Sequence, residues 1–205
     1  MAAQINLTTA HEVALEDFAA GDPRVMAHNS LVSFKGEESV FEVPYLGKLY
    51  RVTYPGGQVS GTDGGTEVPL AVKIIILHYL TQAGPEPLEG TRISYKELPN
   101  GFVYATPFAN RNIRPLVSIF AGNPDKLKEA AAQLGGREVE LGDVAVEIFV
   151  LPKVPVTFVL WFGDDEFPAS GNVLFDSAAG NHLHTEDYAL IPGLAIWDMK
   201  RLAGL

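Results

Sequence analysis

The chain contains no cysteine among its 205 residues. This absence excludes disulfide bonds, cysteine-held iron–sulfur clusters, thiolate zinc sites and a cysteine nucleophile. Motifs of common enzyme classes are missing too. There is no phosphate-binding glycine loop and no His-Glu-x-x-His pair, and Ser170 stands in Ala-Ser-Gly rather than in a nucleophile elbow. The sequence therefore argues against hydrolases and dehydrogenases of the common types.

Basic residues are also scarce. The chain has 15 Lys and Arg against 25 Asp and Glu, a formal net charge of −10, and such a surface repels phosphate backbones. The most hydrophobic stretch, VPLAVKIIILHYL, is interrupted by Lys73 and His78 and is too short to cross a bilayer. The first residues lack the pattern of a signal peptide. We therefore expect a cytoplasmic protein whose partners include neither nucleic acid nor membrane.

Apolar residues are abundant, at 47% of the chain, which is enough for one sizeable core and a single domain over residues 1–205. The predicted helices cover residues 8–20, 69–83, 107–120, 124–134, 186–189 and 195–203. The predicted strands form hairpins at 40–54 and 92–105, a ribbon at 143–162 and a strand at 172–176, with loop at 55–65. Because strands come in hairpins, we expect an α+β fold. It would be a single compact domain whose mostly antiparallel sheet packs against several helices.

Four segments together resemble a known family. They are IIILHYL, ISYKELPNG, LWFGDDEFPASGNVLFD and HTEDYAL. In this order they resemble the uncharacterised prokaryotic family catalogued as domain of unknown function 3786, over essentially the whole chain. The family has no established activity, but its members are similar to proteins of anaerobic bacteria and archaea, some with an added cysteine-rich iron–sulfur segment. By association, the resemblance implies a role in anaerobic, cofactor- or corrinoid-linked metabolism. The cofactor itself stays unidentified.

An acidic segment, residues 161–190, contains no lysine or arginine. Adjacent carboxylates can supply oxygen ligands to a divalent cation, and two imidazoles can complete a mixed site for zinc, iron or manganese. The candidate metal ligands are Asp165, Asp176, His182 and His184. A simpler explanation is structural: aspartates favour turns, and Thr185 is placed to cap a helix whose first turn is acidic.

Glu166 is the candidate catalytic residue of this segment. Phe167 and Pro168 follow it, which favours a backbone that turns inward and carries the carboxylate toward apolar surroundings. Its pKa would rise there, as a general acid or base requires. A Glu166 that caps backbone amides in a sharp turn is the structural alternative. Whether the protein is an enzyme stays open at this point.

A basic segment, residues 91–115, holds four basic residues against one acidic residue, with aromatic residues interleaved. Guanidinium groups beside aromatic faces suit a planar or anionic ligand. The candidate ligand-binding residues are Arg92, Tyr95, Tyr104 and Arg111, with Trp161 from a closing loop. The alternative is that these arginines pair with acids elsewhere in the chain. His78 is predicted to be a core histidine bonded to a carbonyl, and Trp197 a core or edge aromatic.

Three hypotheses follow from these segments. The first is a small-molecule or cofactor-binding module that uses the basic segment. The second is a divalent-metal-dependent enzyme centred on Asp165, Glu166, Asp176 and His184. The third is a domain that docks onto a partner protein through the acidic face of residues 161–190, in which case binding weakens steeply with salt.

Overall fold

The apolar alternation of residues 40–53 forms a hairpin at the centre of the first of two sheets. The computed structural model describes residues 7–62 and 67–205, so that residues 63–65 of the predicted loop lie outside it. The strands are β1 (Ser33–Lys35), β2 (Val40–Tyr45), β3 (Lys48–Thr53) and β4 (Val59–Gly61), paired antiparallel in chain order. Leu46 and Gly47 connect β2 to β3 with positive φ angles of 46° and 71°, as a tight two-residue hairpin turn requires. This predicted hairpin is confirmed.

The second sheet is built around the predicted ribbon. Its strands are β5 (Arg92–Ser94), β6 (Arg137–Glu138), β7 (Val144–Leu151), β8 (Val154–Trp161) and β9 (Ser170–Asp176). They are ordered β5-β9-β8-β7-β6, and every neighbouring pair is antiparallel. Val146, Phe158 and Val173 lie side by side on one face and are fully buried. The ribbon and the strand at 172–176 are therefore confirmed.

Helices cover the inner faces of the sheets. They are α1 (Leu7–Ala20), α2 (Pro23–Ser30), α3 (Leu70–Gln82), α4 (Ala105–Phe108), α5 (Arg114–Phe120), α6 (Pro124–Gln133), α7 (Thr185–Tyr188) and α8 (Ile191–Leu202). One π-helical turn, Ala109–Ile113, joins α4 to α5. Helix α3 is apolar around its circumference and buries seven side chains, so the prediction that it is the central buried helix is confirmed.

Two local predictions differ from the structure. The predicted hairpin at 92–105 is wrong, because a capping box ends strand β5. The side chain of Glu97 accepts hydrogen bonds from the Ser94 N–H and hydroxyl, at 2.7 and 2.8 Å, and the chain then continues as 3-10 turns. Helix α2 was not predicted. It begins because Asp22 Oδ1 accepts the N–H groups of Arg24 and Val25.

Helices and hairpins share one continuous hydrophobic core. The described residues thus form one compact α+β domain, as predicted. Within them, no helix has the length and apolar character needed to cross a membrane.

Candidate functional site

The acidic turn after β8 is held by its own first aspartate. Asp164 Oδ1 accepts the N–H groups of Glu166 and Phe167 at 2.9 and 2.7 Å, and these bonds lower the pKa of Asp164. Asp164 to Pro168 are all exposed. The inward orientation expected for Glu166 is therefore wrong, since the turn of Asp164 directs the segment toward solvent. The catalytic role of Glu166 stays a prediction, and the apolar surroundings on which it was based are absent from the described turn.

The predicted metal ligands lie in different environments. Asp176 is buried and accepts backbone N–H groups from Glu89, Gly90 and Ala178. His182 is buried but His184 is exposed. The two residues follow a 3-10 turn, so their imidazoles lie in different environments. Among the described residues, no three His, Asp or Glu side chains are grouped to hold a metal ion.

The basic segment is divided between two places in the fold. Arg92 lies on the outer face of the second sheet, where its Nη2 donates to Glu147 Oε2 at 2.9 Å. Arg137 donates to the other carboxylate oxygen at 2.7 Å. Burial raises the pKa of Glu147, but the hydrogen bonds and charges of the two arginines outweigh it, so the pKa is lowered overall. For Arg92, the alternative interpretation is therefore correct, because its guanidinium pairs with an acid elsewhere in the chain.

The aromatic residues of the basic segment are mostly structural. Tyr95 is buried and stacks on Phe108, with ring centroids 4.0 Å apart and planes 6° from parallel. Burial raises its pKa to about 12. Tyr104 and Arg111 contact each other, with the guanidinium carbon 5.4 Å from the ring centroid. Trp161 lies at the far end of β8, half-exposed.

A buried polar centre lies where α3 ends. Lys153 is buried, and its ammonium group donates to the carbonyls of Gly84 and Glu86 at 2.7 and 2.8 Å. His182 is fully buried, and neither ring nitrogen makes a hydrogen bond of standard geometry to the described residues, although the Asn181 backbone lies close enough to act on its pKa. Burial and the nearby charge of Lys153 lower the pKa of His182. These residues form a polar cluster inside the hydrophobic core.

A groove of about 570 Å³ separates α8 from the β3–β4 edge of the first sheet. We call it the α8 groove, and its described lining is Tyr45, Lys48, Leu49, Tyr50, Gly61, Thr62, Glu67, Val68, Pro69, Val72, Leu194, Trp197, Asp198 and Arg201. The four α8 residues are spaced i, i+3, i+4, i+7, so one stripe of that helix forms a wall. Its volume falls within the range of small-molecule sites.

The hydroxyl of Tyr45 is the exceptional group of the α8 groove. Tyr45 is 3% exposed, and its hydroxyl oxygen has no hydrogen-bond partner among the described residues. Burial raises its pKa, and so do the charges of Asp198 and Tyr50, both of which line the groove. A buried hydroxyl without a partner costs free energy, and native structures contain few of them. The unpaired donor marks a place where a ligand atom or water would complete the site.

Trp197 supplies the exposed aromatic surface of the same groove. Its side chain is 55% exposed, and the Lys200 ammonium lies over the ring at 5.0 Å from the centroid. Arg201 and Asp198 form an ion pair of 3.0 Å on the next turn. The prediction that Trp197 is a core or edge aromatic did not identify this role. The spacing of Trp197, Asp198 and Arg201 in the final helix is the sequence signal that could have placed them on one face.

A family model described as "Domain of unknown function (DUF3786)" matches residues 22–197. The chain belongs to the DUF3786 family. It matches no curated protein and no solved structure. The match includes Tyr45, Tyr50 and Trp197 but ends just before Asp198 and Arg201. Two charged residues of the α8 groove thus lie outside the part that the DUF3786 model describes.

Three of the segments that resemble DUF3786 contact one another through hydrogen bonds. His78 of IIILHYL bonds Asp187 of HTEDYAL through Nδ1, 2.9 Å from Oδ1, so its predicted carbonyl partner is in fact a carboxylate. Tyr95 of ISYKELPNG donates to the Thr185 carbonyl at 3.3 Å. The Thr185 hydroxyl donates to the Pro99 carbonyl at 2.7 Å, and Thr185 is the first residue of α7, not its N-cap. These DUF3786 segments hold α3, the 3-10 turns and α7 together.

Proposed function

We propose that this protein binds a small organic molecule in the α8 groove. The unpartnered hydroxyl of Tyr45 carries the proposal, because it is a buried donor near Asp198 and Tyr50, which also line the groove. Ligand sites combine an apolar lining with a few polar groups that fix orientation. The α8 groove has that composition, with Val68, Val72 and Leu194 between its aromatic and charged residues.

The location differs from the one predicted from the sequence. The Arg92 guanidinium is already paired with Glu147, and the buried Tyr95 ring is already stacked on Phe108. Arg111 and Tyr104 contact one another but do not line the α8 groove. We therefore retain the hypothesis of a small-molecule-binding protein but place the binding site in the α8 groove instead of the basic segment.

Tryptophan fluorescence tests the proposal directly, because the chain has only two tryptophans. In a Trp161→Phe background, Trp197 is the sole reporter, and it lies in the α8 groove. A library of small metabolites should contain compounds that change its emission and raise Tm. The same compounds should lose both effects in Trp197→Ala, when binding is followed by thermal shift alone. A library without such compounds would contradict the proposal.

A second candidate function is docking of a partner protein through the acidic turn. The turn exposes Phe167, with 68% of its surface accessible, and Phe162 beside three carboxylates. Contiguous exposed apolar side chains indicate an interaction surface. Since no lysine or arginine occurs between Lys153 and Lys200, charge complementarity favours a basic segment of the partner.

Affinity capture from the source lysate at two salt concentrations tests this candidate. A partner should be retained by wild type at low salt, released by salt, and lost in Phe162→Ser/Phe167→Ser. Phe102→Ser is the matched control, because Phe102 is also exposed but lies in a 3-10 turn of the basic segment. Retention that ignores both salt and the phenylalanines would reject the docking candidate.

A further inference from the structure

The hydrogen-bonding character of the α8 groove restricts what it can bind. Burial and the charge of Asp198 raise the pKa of Tyr45, so the hydroxyl stays protonated at physiological pH. Asp198 Oδ1 already accepts from Arg201 at 3.0 Å. The buried hydroxyl can therefore donate to an acceptor atom of the ligand, such as a carbonyl oxygen.

The charges around the groove balance. Its described lining contains two basic and two acidic side chains, which are Lys48, Arg201, Glu67 and Asp198. Arg201 pairs with Asp198 at 3.0 Å, and Glu67 pairs with Lys73 at 3.3 Å. A ligand carboxylate at Tyr45 would be repelled by the charge of Asp198. A ligand ammonium carries no lone pair, so the Tyr45 hydroxyl proton would still lack an acceptor. The arrangement disfavours both charged forms relative to a neutral group.

The aromatic wall adds a shape requirement. Tyr50 stands edge-on to Tyr45, with centroids 5.8 Å apart and planes at 85°. Trp197 exposes more than half of its surface from the opposite wall. Flat rings gain both contact area and stacking from such residues.

We infer that the α8 groove selects a neutral planar ligand whose ring contacts Trp197 and whose carbonyl oxygen accepts a hydrogen bond from Tyr45. This inference rests on the proposed small-molecule function and names the ligand class for the same site. Lactams, carboxamides and ring ketones share the required chemistry.

Three probes test the proposed ligand class. Benzamide, benzoate and benzylamine share a phenyl ring but are neutral, negative and positive, respectively. Each is titrated by ligand-observed NMR into wild type, Tyr45→Phe, Trp197→Ala and the control Tyr104→Phe, whose hydroxyl lies outside the groove. Binding is expected at about millimolar Kd, since few heavy atoms are involved. Benzamide should bind wild type and Tyr104→Phe at least threefold more tightly than the charged probes.

The variants separate the two contacts. Tyr45→Phe removes only a hydroxyl, so the fold is retained, and benzamide should weaken by roughly five- to tenfold while benzoate changes little. Trp197→Ala should weaken all three probes together. Equal affinities for benzamide and benzoate, or no effect of Tyr45→Phe, would overturn the ligand class.

The experiments distinguish a wrong ligand class from a wrong small-molecule-binding function. If the probes do not bind but library compounds still change Trp197 emission, the groove binds ligands and the neutral planar class is wrong. If neither the probes nor the library bind, the proposed function is wrong as well.

Discussion

His78 Nδ1 lies 2.9 Å from Asp187 Oδ1 and 3.1 Å from Oδ2, although the two residues are 109 positions apart in the chain. Asp187 is buried and the His78 side chain is 23% exposed. The pair joins the central helix α3 to the short helix α7, and the imidazole orientation is fixed by both carboxylate oxygens. One edge of the ring still reaches the surface, so protons can exchange with solvent.

This contact predicts that stability depends on the protonation of His78. Burial lowers its pKa, but the hydrogen bond and charge of Asp187, with a contribution from Asp17, outweigh burial and raise it above 6.5. The stabilisation is fully present below pH 6.5, where both folded and unfolded chains are protonated, and is lost as pH rises through the folded pKa. The free energy of unfolding of wild type relative to His78→Gln should therefore fall with rising pH. An NMR titration of His78 with a midpoint below 6.5 would contradict this.

His182 is expected to show the opposite dependence. Burial and the charge of Lys153 lower its pKa, so the folded chain resists a proton that the unfolded chain accepts. Stability is then lost as pH falls below 6.5 toward the folded pKa. Replacing His182 by Leu removes two unpartnered nitrogens and should stabilise the protein more at pH 5.5 than at pH 8. Denaturant unfolding at the two pH values measures this, and an equal effect at both would count against it.

Three buried tyrosines should respond differently to loss of the hydroxyl. The Tyr79 hydroxyl donates to the Ser30 carbonyl and accepts from Lys153 N–H, at 2.8 and 3.0 Å. The Tyr188 hydroxyl donates to the Ala179 carbonyl at 2.9 Å. Changing either tyrosine to Phe should cost about 1–3 kcal/mol, because buried partners are left unpaired.

Tyr45→Phe is the matched case without a partner. Its hydroxyl makes no hydrogen bond to the described residues, so its removal should leave the free energy of unfolding unchanged or raise it. Urea unfolding of the three variants ranks them. A Tyr45→Phe loss as large as that of Tyr79→Phe would mean that the hydroxyl has a structural partner and would weaken the proposed site.

The β-structure was predictable wherever the sequence carries its own period. Residues 40–54 alternate, and residues 143–162 form a long apolar ribbon interrupted by Pro152 and Pro155, so both follow from side-chain pattern alone. Residues 92–105 also look like a hairpin, but there the Glu97 side chain competes with strand pairing for backbone donors. Such local capping depends on one side-chain geometry, which periodicity does not reveal.

The candidate site was less predictable, because it is assembled from distant segments. The α8 groove combines β3 residues such as Tyr50 with α8 residues such as Trp197, and only packing of the two sheets and helices creates the space between them. Arg92 is a candidate ligand-binding residue in the sequence because arginine commonly binds anions. The sequence does not show that its guanidinium is already paired with the buried Glu147. The unpartnered state of Tyr45 has no sequence signal, since it depends on what surrounds the hydroxyl.

The acidic turn gives the last prediction, which concerns its order. Asp164 Oδ1 accepts two backbone N–H groups, and its own N–H donates to the Phe167 carbonyl at 2.9 Å. Asp164→Ala removes the acceptor, so hydrogen exchange at the amides of Glu166 and Phe167 should accelerate. Asp164→Asn keeps a side-chain carbonyl oxygen and should retain part of the protection.

Asp165→Ala is the matched control, because it removes an adjacent exposed carboxylate that makes no hydrogen bond in the described turn. Its amide exchange should equal that of wild type. Acceleration of the same size in Asp165→Ala would mean that charge, rather than the Asp164 hydrogen bonds, orders the turn. If the Asp164 hydrogen bonds do order the turn, Phe167 is held in a fixed position at the surface. A docking partner would then bind without the loss of conformational entropy that ordering the turn would otherwise cost.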